Sequence, residues 1–557
     1  MRSPLALLLA LLLPGLAAAA APAARPNIVI ILVDDMGFSD IGCYGGEIPT
    51  PHLDALARGG VRFTQFYNTG RCCPTRASLL TGLYSHQAGI GHMTSPRSGA
   101  DGAVLPGYAG RLNDHCVTIA EVARTAGYFT AMTGKWHVGQ ALGATPWGRG
   151  FDRSLNAAAG GFFYPGNDRA KLFLNGRDVG GGGEGGVPKD WYSTDLWTDF
   201  GLKFIDEARA AQKPFLLYLA HNAPHFPLQA PAADIARFRG KFMAGWDQLR
   251  EERYARQIAM GLVDRSWPLA PRPAHIPAWS SLSTTEQERY DHIMAIFAAT
   301  MSRLDQSVGR LVAGLRERGE LERTLILFLS DNGGNAESGV PGRLTGIQPG
   351  DAASSVFVGE CWAALENTPF RRYKHFNHEG GIATPLIAHW PAGIPAARRG
   401  ALETQPGHLI DLMATCVDLT GARYPAEFNG RPIPPPEGVS LRPAFAGEPL
   451  ARTAPLFWEH EGNAAVRRGD WKLVRFEFRG PWELYNLKTD RTEQHNLAYA
   501  QPALAAELAD LWEAWARRAN VLPVQTLALA SHGAPTPVAA ADTVAKKAKK
   551  KKKAAND

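Results

Sequence analysis

Short, almost continuous apolar runs recur along the chain, and each one borders a group of polar residues. Runs without polar alternation are typical of strands buried on both faces, as in a parallel sheet. Segments with apolar residues at three- and four-residue spacing predict helices at 53–58, 118–126, 196–212 and 287–318. This alternation predicts an α/β fold with a large, mixed, mostly parallel sheet between helices. The predicted strands are 27–33, 128–133, 214–220, 324–330 and 384–390.

The pattern changes after about residue 440. Partly alternating segments joined by short turns predict a small antiparallel sheet, and an amphipathic helix follows at 502–518. The end of the chain is rich in Ala, Pro, Thr and Lys and is predicted to be disordered. We therefore predict a main α/β domain at 25–440, a C-terminal α+β subdomain at 441–523 and a disordered tail at 524–557.

The first residues have the layout of a secretory signal peptide, which we place at 1–21. Arg2 precedes an apolar stretch at 5–16, and an alanine-rich segment with A-x-A cleavage sites follows. The apolar stretch is shorter than the roughly 20 residues that a membrane span needs, and no later stretch supplies one. The sequence therefore predicts an exported protein, periplasmic or extracellular, without a transmembrane segment.

Charge and cysteine content exclude two classes of protein. The net charge of +6 is carried entirely by the tail, where 546–557 holds seven lysines and one aspartate. The rest of the chain is neutral and gives no argument for nucleic-acid binding. The six cysteines are too few for a disulfide scaffold, and their spacing matches no zinc motif.

Two pairs of adjacent residues with carboxylate or amide oxygens follow predicted strands. They are Asp34-Asp35 and Asp331-Asn332. In α/β sheets ligands collect at the carboxyl ends of the strands. Helix capping or turn formation explains either pair alone, but adjacent carboxylates at a buried strand end repel each other and lose solvation. Two such pairs on one sheet favour a shared divalent cation, and all-oxygen ligands favour Ca²⁺ or Mg²⁺.

A set of cationic residues lies near other strand ends. Taken singly, each is an ordinary solvated or hydrogen-bonded residue. Collected around a metal, they would form a pocket for a tetrahedral oxyanion, in which histidine can deliver a proton to a leaving oxygen. The set comprises Arg76, Lys135, His137, His225 and Lys374.

The segment GRCCPTRASLLTG, residues 70–82, contains two adjacent cysteines at the start of a helix-compatible stretch. A disulfide, a structural role and a nucleophile all remain open on the residues alone. A thiolate is a poor ligand for a hard, oxygen-preferring cation, so Cys72 as it stands does not suit the predicted metal site.

The same segment resembles the type I sulfatase signature C-x-[PA]-[ST]-R-x-x-x-[LM]-[TS]-G. Cys72 stands in its first position, Arg76 in its fifth and Cys73 in a free position. GKWHVG at 134–139 is similar to the family's second signature, and further segments agree in the same order over about 25–520. The resemblance is closest to bacterial arylsulfatases and implies an alkaline-phosphatase-like fold with the sulfatase catalytic domain at 25–440.

The resemblance also implies two cofactors. One is Cα-formylglycine, an aldehyde formed from Cys72 by a formylglycine-generating or anaerobic maturation enzyme. The other is Ca²⁺, in preference to Mg²⁺, with the modified Cys72 beside it. The oxygen of the converted residue suits a hard cation where sulfur does not. The implied metal ligands are Asp34, Asp35, Cys72, Asp331 and Asn332.

For the cationic residues the resemblance implies distinct roles. Arg76 and Lys135 hold the hydrated aldehyde, and His137 helps to remove one of its protons. His225 donates a proton to the leaving oxygen, and Lys374 binds sulfate together with Lys135 and His225. Cys73 is expected to be a bystander.

The implied activity is hydrolysis of aryl or carbohydrate sulfate monoesters to an alcohol and inorganic sulfate. Two alternatives remain. A phosphonate or phosphate monoester hydrolase can use the same scaffold, and a non-catalytic binder of sulfated glycans would keep the fold with Cys72 unmodified. The expected partners are a small-molecule or glycan sulfate ester and the maturation enzyme.

Overall fold

The computed structural model describes residues 25–521 apart from 142 and 168. The predicted signal peptide at 1–21 and the predicted tail at 524–557 lie outside the described residues. Across the described part of the chain, no helix is both long enough and apolar enough to cross a membrane.

The strands of the structure fall into one large sheet, two short hairpins and one C-terminal sheet. In chain order they are β1 (Asn27–Val33), β2 (Val61–Tyr67), β3 (Phe129–Lys135), β4 (Arg153–Ala157), β5 (Leu172–Leu174), β6 (Arg177–Asp178), β7 (Phe215–Ala220), β8 (Thr324–Ser330), β9 (Arg343–Thr345), β10 (Ser355–Phe357), β11 (Ala383–His389), β12 (Leu402–Glu403), β13 (Gly407–His408), β14 (Glu427–Phe428), β15 (Arg431–Pro432), β16 (Leu456–His460), β17 (Asn463–Arg468), β18 (Trp471–Arg475) and β19 (Glu483–Asn486).

The large sheet has the order β12-β2-β11-β8-β1-β7-β3-β4-β5-β6, with β13 also paired to β2. Strand β1 runs parallel to both β7 and β8, so that Ile30 lies opposite Tyr218 on one side and Leu327 on the other. Strands β3 and β4 continue the parallel direction, whereas β11 runs antiparallel between β2 and β8. The predicted mixed, mostly parallel sheet is confirmed.

Two hydrophobic cores lie on opposite faces of this sheet. Alternate residues of β1 enter different cores: Val29 and Ile31 pack in one, and Ile28 and Ile30 in the other. Every residue of β1, β3, β7 and β8 is buried, which explains why these strands are apolar without alternation.

Helices cover both faces. α1, α4 and α7 contribute to the core that contains Val29, and α2, α3 and α10 to the core that contains Ile28. The helices are α1 (Pro51–Arg58), α2 (Cys72–Thr81), α3 (Ile119–Thr125), α4 (Ser193–Ala210), α5 (Ala232–Ala236), α6 (Gly245–Ala259), α7 (Thr284–Glu317), α8 (Gly359–Glu366), α9 (Glu379–Ile382), α10 (Asp411–Thr420), α11 (Arg442–Ala446) and α12 (Pro502–Arg518).

The C-terminal sheet is antiparallel in the order β16-β17-β18-β19, and α12 packs against β17 and β18. It is joined to the large sheet by buried ion pairs. Lys472 Nζ lies 2.8 Å from Glu379 Oε1, and Arg491 Nε lies 3.0 Å from Glu379 Oε2. The predicted C-terminal antiparallel sheet with a following helix is confirmed.

Candidate active site

The parallel strands end at a common edge of the large sheet, and the polar residues that follow them meet there. Strand β1 leads into Asp34, β8 into Asp331 and β7 into the turn that carries His225, while Lys135 is the last residue of β3. The antiparallel β11 begins at the same edge, so the segment before it brings Lys374 to this place.

The start of α2 places Cys72 in the site. All ten residues of this helix are buried. The Cys72 thiol lies in one group with the Cys73 thiol and a ring nitrogen of His137, with all three atoms within 4.8 Å of one another. A hydrogen bond from Cys73 and the nearby charge of Lys135 hold the pKa of the Cys72 thiol well below its usual value, against the opposing effect of burial. No cysteine within the described residues forms a disulfide.

The acidic residues surround a small polar space with unsatisfied oxygens. Asp34, Asp331 and Asn332 are fully buried, and Asp35 is 2% exposed. Asp34 Oδ1 and Asn332 Oδ1 have no hydrogen-bond partner among the described residues. The Asn332 amide group is oriented by its other end, because its Nδ2 donates to Asp35 Oδ1 at 2.7 Å. A buried oxygen without a partner is costly, and a bound cation would satisfy both oxygens.

The electrostatics of the acidic residues also favour a bound cation. Burial and the neighbouring charge of Asp34 raise the pKa of Asp331 well above its usual value. Burial also opposes ionisation of Asp34, but Lys135, His225 and Arg76 outweigh it and lower its pKa. Because each charge disfavours the other, ionisation of both Asp34 and Asp331 is costly. With the amide oxygen of Asn332, these carboxyl groups form an oxygen-only donor set suited to Ca²⁺ or Mg²⁺.

Cationic side chains enclose the acidic group. Lys135 Nζ lies 2.7 Å from Asp34 Oδ2, and Lys374 Nζ lies 2.8 Å from Asp35 Oδ1. Arg76 donates to Asp331 Oδ2 at 2.8 Å and to the backbone oxygen of Lys135 at 2.8 Å. The geometry brings together every residue of the predicted set.

The two histidines are both half-buried but differ in bonding. His225 Nε2 lies 3.7 Å from Asp35 Oδ2, and its Nδ1 lies 2.6 Å from the backbone oxygen of Phe226, which fixes the ring. His137 Nδ1 has no partner among the described residues. Burial, reinforced by the charge of Lys135, lowers the pKa of His137 to about 4, so the ring is neutral near pH 7 and can accept a proton.

Backbone geometry at Gly134 explains how β3 delivers Lys135. Gly134 has φ 108°, and a Cβ atom there would lie 1.9 Å from the backbone oxygen of Ala220 on β7. Only glycine permits both the conformation and the close approach of the two strands.

The sequence patterns did not identify several residues that contact the site. Asn335 Nδ2 donates to Asp35 Oδ2 at 2.5 Å. Glu337 pairs with Lys374 at 3.2 Å and with Arg71 at 2.5 Å. The run DNGGN after β8 included Asn335 and was a usable signal, whereas Glu337 stands in a loop without any periodic pattern. The segment 335–366, which contains Glu337, also contains β9, β10 and α8.

Comparisons with known proteins agree with this geometry. Residues 26–422 match the Sulfatase family model, and residues 371–519 match the model described as N-sulphoglucosamine sulphohydrolase, C-terminal. An arylsulfatase of Klebsiella aerogenes is 34% identical over 78% of this chain and 96% of its own length. An uncharacterized sulfatase of Schizosaccharomyces pombe is 32% identical over 88% of this chain and 93% of its own length.

Solved structures share the architecture. The crystal structure of Ps i-CgsB in complex with k-i-k-neocarrahexaose superposes with a TM-score of 0.65 at 25% identity, covering 90% of this chain and 98% of that one. A structure in complex with its substrate D-glucosamine-2-N,6-O-disulfate has a TM-score of 0.59 at 22% identity, covering 90% and 99% of the two chains. The second likeness concerns the fold alone.

Proposed function

The chain belongs to the type I sulfatase family and is a sulfatase that hydrolyses sulfate esters; from this premise we propose that Cys72, converted to formylglycine, is its nucleophile and that Ca²⁺ is its metal. The observation that carries the proposal is the coincidence of two unpartnered buried oxygens, Asp34 Oδ1 and Asn332 Oδ1, with a ring of cations beside Cys72.

The residues around position 72 fit an oxygen nucleophile. Hydrated formylglycine would supply one hydroxyl to attack sulfur as the alcohol departs, and a second whose deprotonation would expel sulfate and restore the aldehyde. Arg76, four residues after Cys72 in α2, and Lys135, at the end of β3, would hold the hydroxyls. His137, neutral and within 4.8 Å of the Cys72 thiol, would accept the proton of the second hydroxyl.

The acidic group would hold the metal through Asp34, Asp35, Asp331 and Asn332. When bound, Ca²⁺ would polarise the sulfate oxygens as a Lewis acid. Its charge would also offset the repulsion between Asp34 and Asp331. The all-oxygen donors favour Ca²⁺ over transition metals.

Two residues would act on the substrate itself. Lys374, fixed by Asp35 and Glu337, places a positive charge where a sulfate oxygen would lie. His225 is half-buried at the mouth of the site, where a protonated ring would donate to the departing alcohol oxygen. An aryl or sugar alcohol is a poor leaving group without that proton, so His225 sets the rate of the first step.

Two further parts of the proposal concern biogenesis. The signal peptide at 1–21 supports export to the periplasm or the extracellular space. A formylglycine-generating or anaerobic maturation enzyme would convert Cys72, and such an enzyme must act before folding because Cys72 is only 1% exposed in the folded chain.

Two measurements test the proposal. Mass spectrometry of the peptide that contains Cys72 should show the aldehyde, and an unmodified thiol in native, active enzyme would contradict it. Rates on an aryl sulfate and on the matching aryl phosphonate and phosphate should favour sulfate. A strong preference for a phosphorus ester would support the monoester-hydrolase alternative, and retention of a sulfated glycan without turnover would support the binder.

A further inference from the structure

A second cluster of ligating side chains lies beside the sulfatase site. It consists of His375 from the segment before β11, His460 at the end of β16, and Glu461 in the turn that follows β16. One ligand atom of each lies within 4.8 Å of the others. None of these residues has a role in the reaction described above.

The spacing within the cluster matches a tetrahedral metal site. Glu461 Oε2 lies 3.1 Å from His375 Nδ1, and Glu461 Oε1 lies 3.8 Å from His460 Nε2. Bonds of about 2.0–2.1 Å in a tetrahedral site put neighbouring ligand atoms about 3.3 Å apart. The side chains are therefore already near the distances that a shared ion would impose.

His460 is the independent sign of a ligand. It is fully buried, and neither ring nitrogen has a hydrogen-bond partner among the described residues. A buried imidazole without partners pays a desolvation cost that a metal bond would offset.

The surroundings of His375 resemble the outer shell of a metal site. Its Nε2 lies 3.0 Å from Glu337 Oε1, on the side of the ring opposite Glu461. A carboxylate that accepts the far N–H of a ligating histidine fixes the tautomer and leaves Nδ1 free to bind metal. Arg71, which bonds to Glu337 at 2.5 Å, contacts the same nitrogen, so metal binding at Nδ1 requires Arg71 to release this contact while Glu337 accepts the Nε2–H.

His92 borders the cluster. Its ring stacks on His460 with centroids 5.8 Å apart, and its Nε2 lies 2.7 Å from Glu461 Oε1. Arg97 contacts the same ring at 2.9 Å, which directs a donor toward His92. His92 is left outside the ligand set because it does not belong to the group whose ligand atoms all lie within 4.8 Å of one another.

We propose that His375, His460 and Glu461 bind a zinc ion distinct from the metal of the sulfatase site. Two imidazoles and one carboxylate suit a borderline metal, whereas the oxygen-only group around Asp34 does not. The ion ties the β16–β17 turn to the segment that carries Lys374, and so links the C-terminal sheet to the mouth of the active site.

Zinc content and coordination test this proposal independently of sulfatase activity. The full exported chain carrying Cys72→Ser and Cys73→Ser is used, because unconverted thiols next to His137 are a competing zinc site. The chain is stripped with a chelator, returned to excess Ca²⁺ and titrated with zinc chloride. We expect about one zinc per chain, with only nitrogen and oxygen ligands at about 2.0–2.1 Å in X-ray absorption.

Variants locate the ion. His460→Ala and Glu461→Gln should each weaken zinc binding by at least the roughly 10–100-fold that outer-shell changes already cost. The matched control His408→Gln alters another fully buried histidine away from the cluster and should leave zinc binding unchanged. If His460→Ala does not fold, Glu461→Gln decides, because its side chain is 27% exposed and the change keeps its shape. Absence of zinc binding, or binding unaffected by Glu461→Gln, overturns the proposal.

Discussion

Two buried charge networks of this protein differ in whether the oxygens of their central carboxylate are satisfied. In the first, between the two sheets, Glu379 contacts Lys472 at 2.8 Å and Arg491 at 3.0 Å. Burial opposes ionisation of Glu379, but these two cations outweigh it and lower its pKa to about 2. In the second, at the edge of the large sheet, the pKa of Asp331 is raised and Asp34 Oδ1 has no partner.

The difference separates a structural network from a binding site. Around Glu379 the opposite charges come from the chain itself, and the network holds two parts of the fold together. Around Asp34, buried oxygens have no hydrogen-bond partner and the carboxyl groups of Asp34 and Asp331 repel each other. A cation from solution would satisfy the oxygens and offset the repulsion. Four predictions follow from this contrast, in order of decreasing effect.

Cys72→Ala should abolish turnover because alanine carries no thiol or hydroxyl that can be oxidised to the aldehyde. We expect kcat/KM for an aryl sulfate to fall by at least about 10³-fold, as for loss of other catalytic nucleophiles. The neighbouring variant Cys73→Ala is the matched control and should keep activity within about threefold. Equal losses in both variants would remove the distinction between the two cysteines.

Glu379→Gln should destabilise the fold rather than the chemistry. It leaves Lys472 and Arg491 buried with less negative charge, and breaking such a pair costs about 3–5 kcal/mol of the free energy of unfolding. Urea unfolding followed by tryptophan fluorescence measures the change. Adding Arg491→Met to Glu379→Gln should recover part of the loss, because Glu379 is the carboxylate with which Arg491 pairs, whereas Lys472 also pairs with Glu493 at 2.9 Å. A double variant less stable than the single one would contradict the pairing argument.

Metal removal should affect the two networks differently. Calcium at 100 times its dissociation constant stabilises the folded chain by about 2.7 kcal/mol, and a chelator should remove that increment. Asp331→Asn should lose the calcium-dependent part but change the stability of the chelated protein little, because it also removes the repulsion with Asp34. Melting curves with and without Ca²⁺ give both quantities, and calcium-dependent stability that persists in Asp331→Asn would rule out this ligand set.

The smallest expected effect concerns His221, which belongs to neither network. It is fully buried without hydrogen-bond partners among the described residues, and burial lowers its pKa to about 3. The unfolded chain therefore binds its proton below about pH 6.5 while the folded chain does not, so stability falls as pH decreases toward 3, by about 1.4 kcal/mol per pH unit.

His221→Gln should make the stability of the protein less dependent on pH between 6.5 and 4.5. His115→Gln is the control, because His115 is exposed. Denaturant midpoints at several pH values measure the slope. An unchanged slope in His221→Gln would show that this ring is not held neutral.

Much of the sheet and of the site was visible in the sequence. The apolar runs at β1, β7 and β8 predicted buried parallel strands, and parallel strands necessarily bring their carboxyl ends to one edge. That rule alone predicted that Asp34, Asp331 and His225 lie close together. The identity of Cys72 as a candidate nucleophile came from the resemblance to sulfatases, since composition and spacing left a disulfide equally open.

Other contacts were not predictable because no local pattern encodes them. Glu337 reaches Lys374 from an irregular loop, and Glu379 meets Lys472 across 93 positions of the chain. His375 and Glu461 are 86 positions apart and meet only because the C-terminal sheet packs beside the segment before β11.

The order of the amino acids predicted the buried strands β1, β3, β7, β8 and β11, the helices α1, α3, α4, α7 and α12, the polar strand ends and the family. Hydrophobic periodicity and short motifs involve residues that are close together in the chain, so they can be read directly from the sequence. The order of the amino acids does not show which charges are neutralised within the chain, as around Glu379, and which oxygens remain without partners, as at Asp34. The folded structure shows both. That difference depends on distances of a few ångströms between residues far apart in sequence, where Coulomb energy and desolvation are largest.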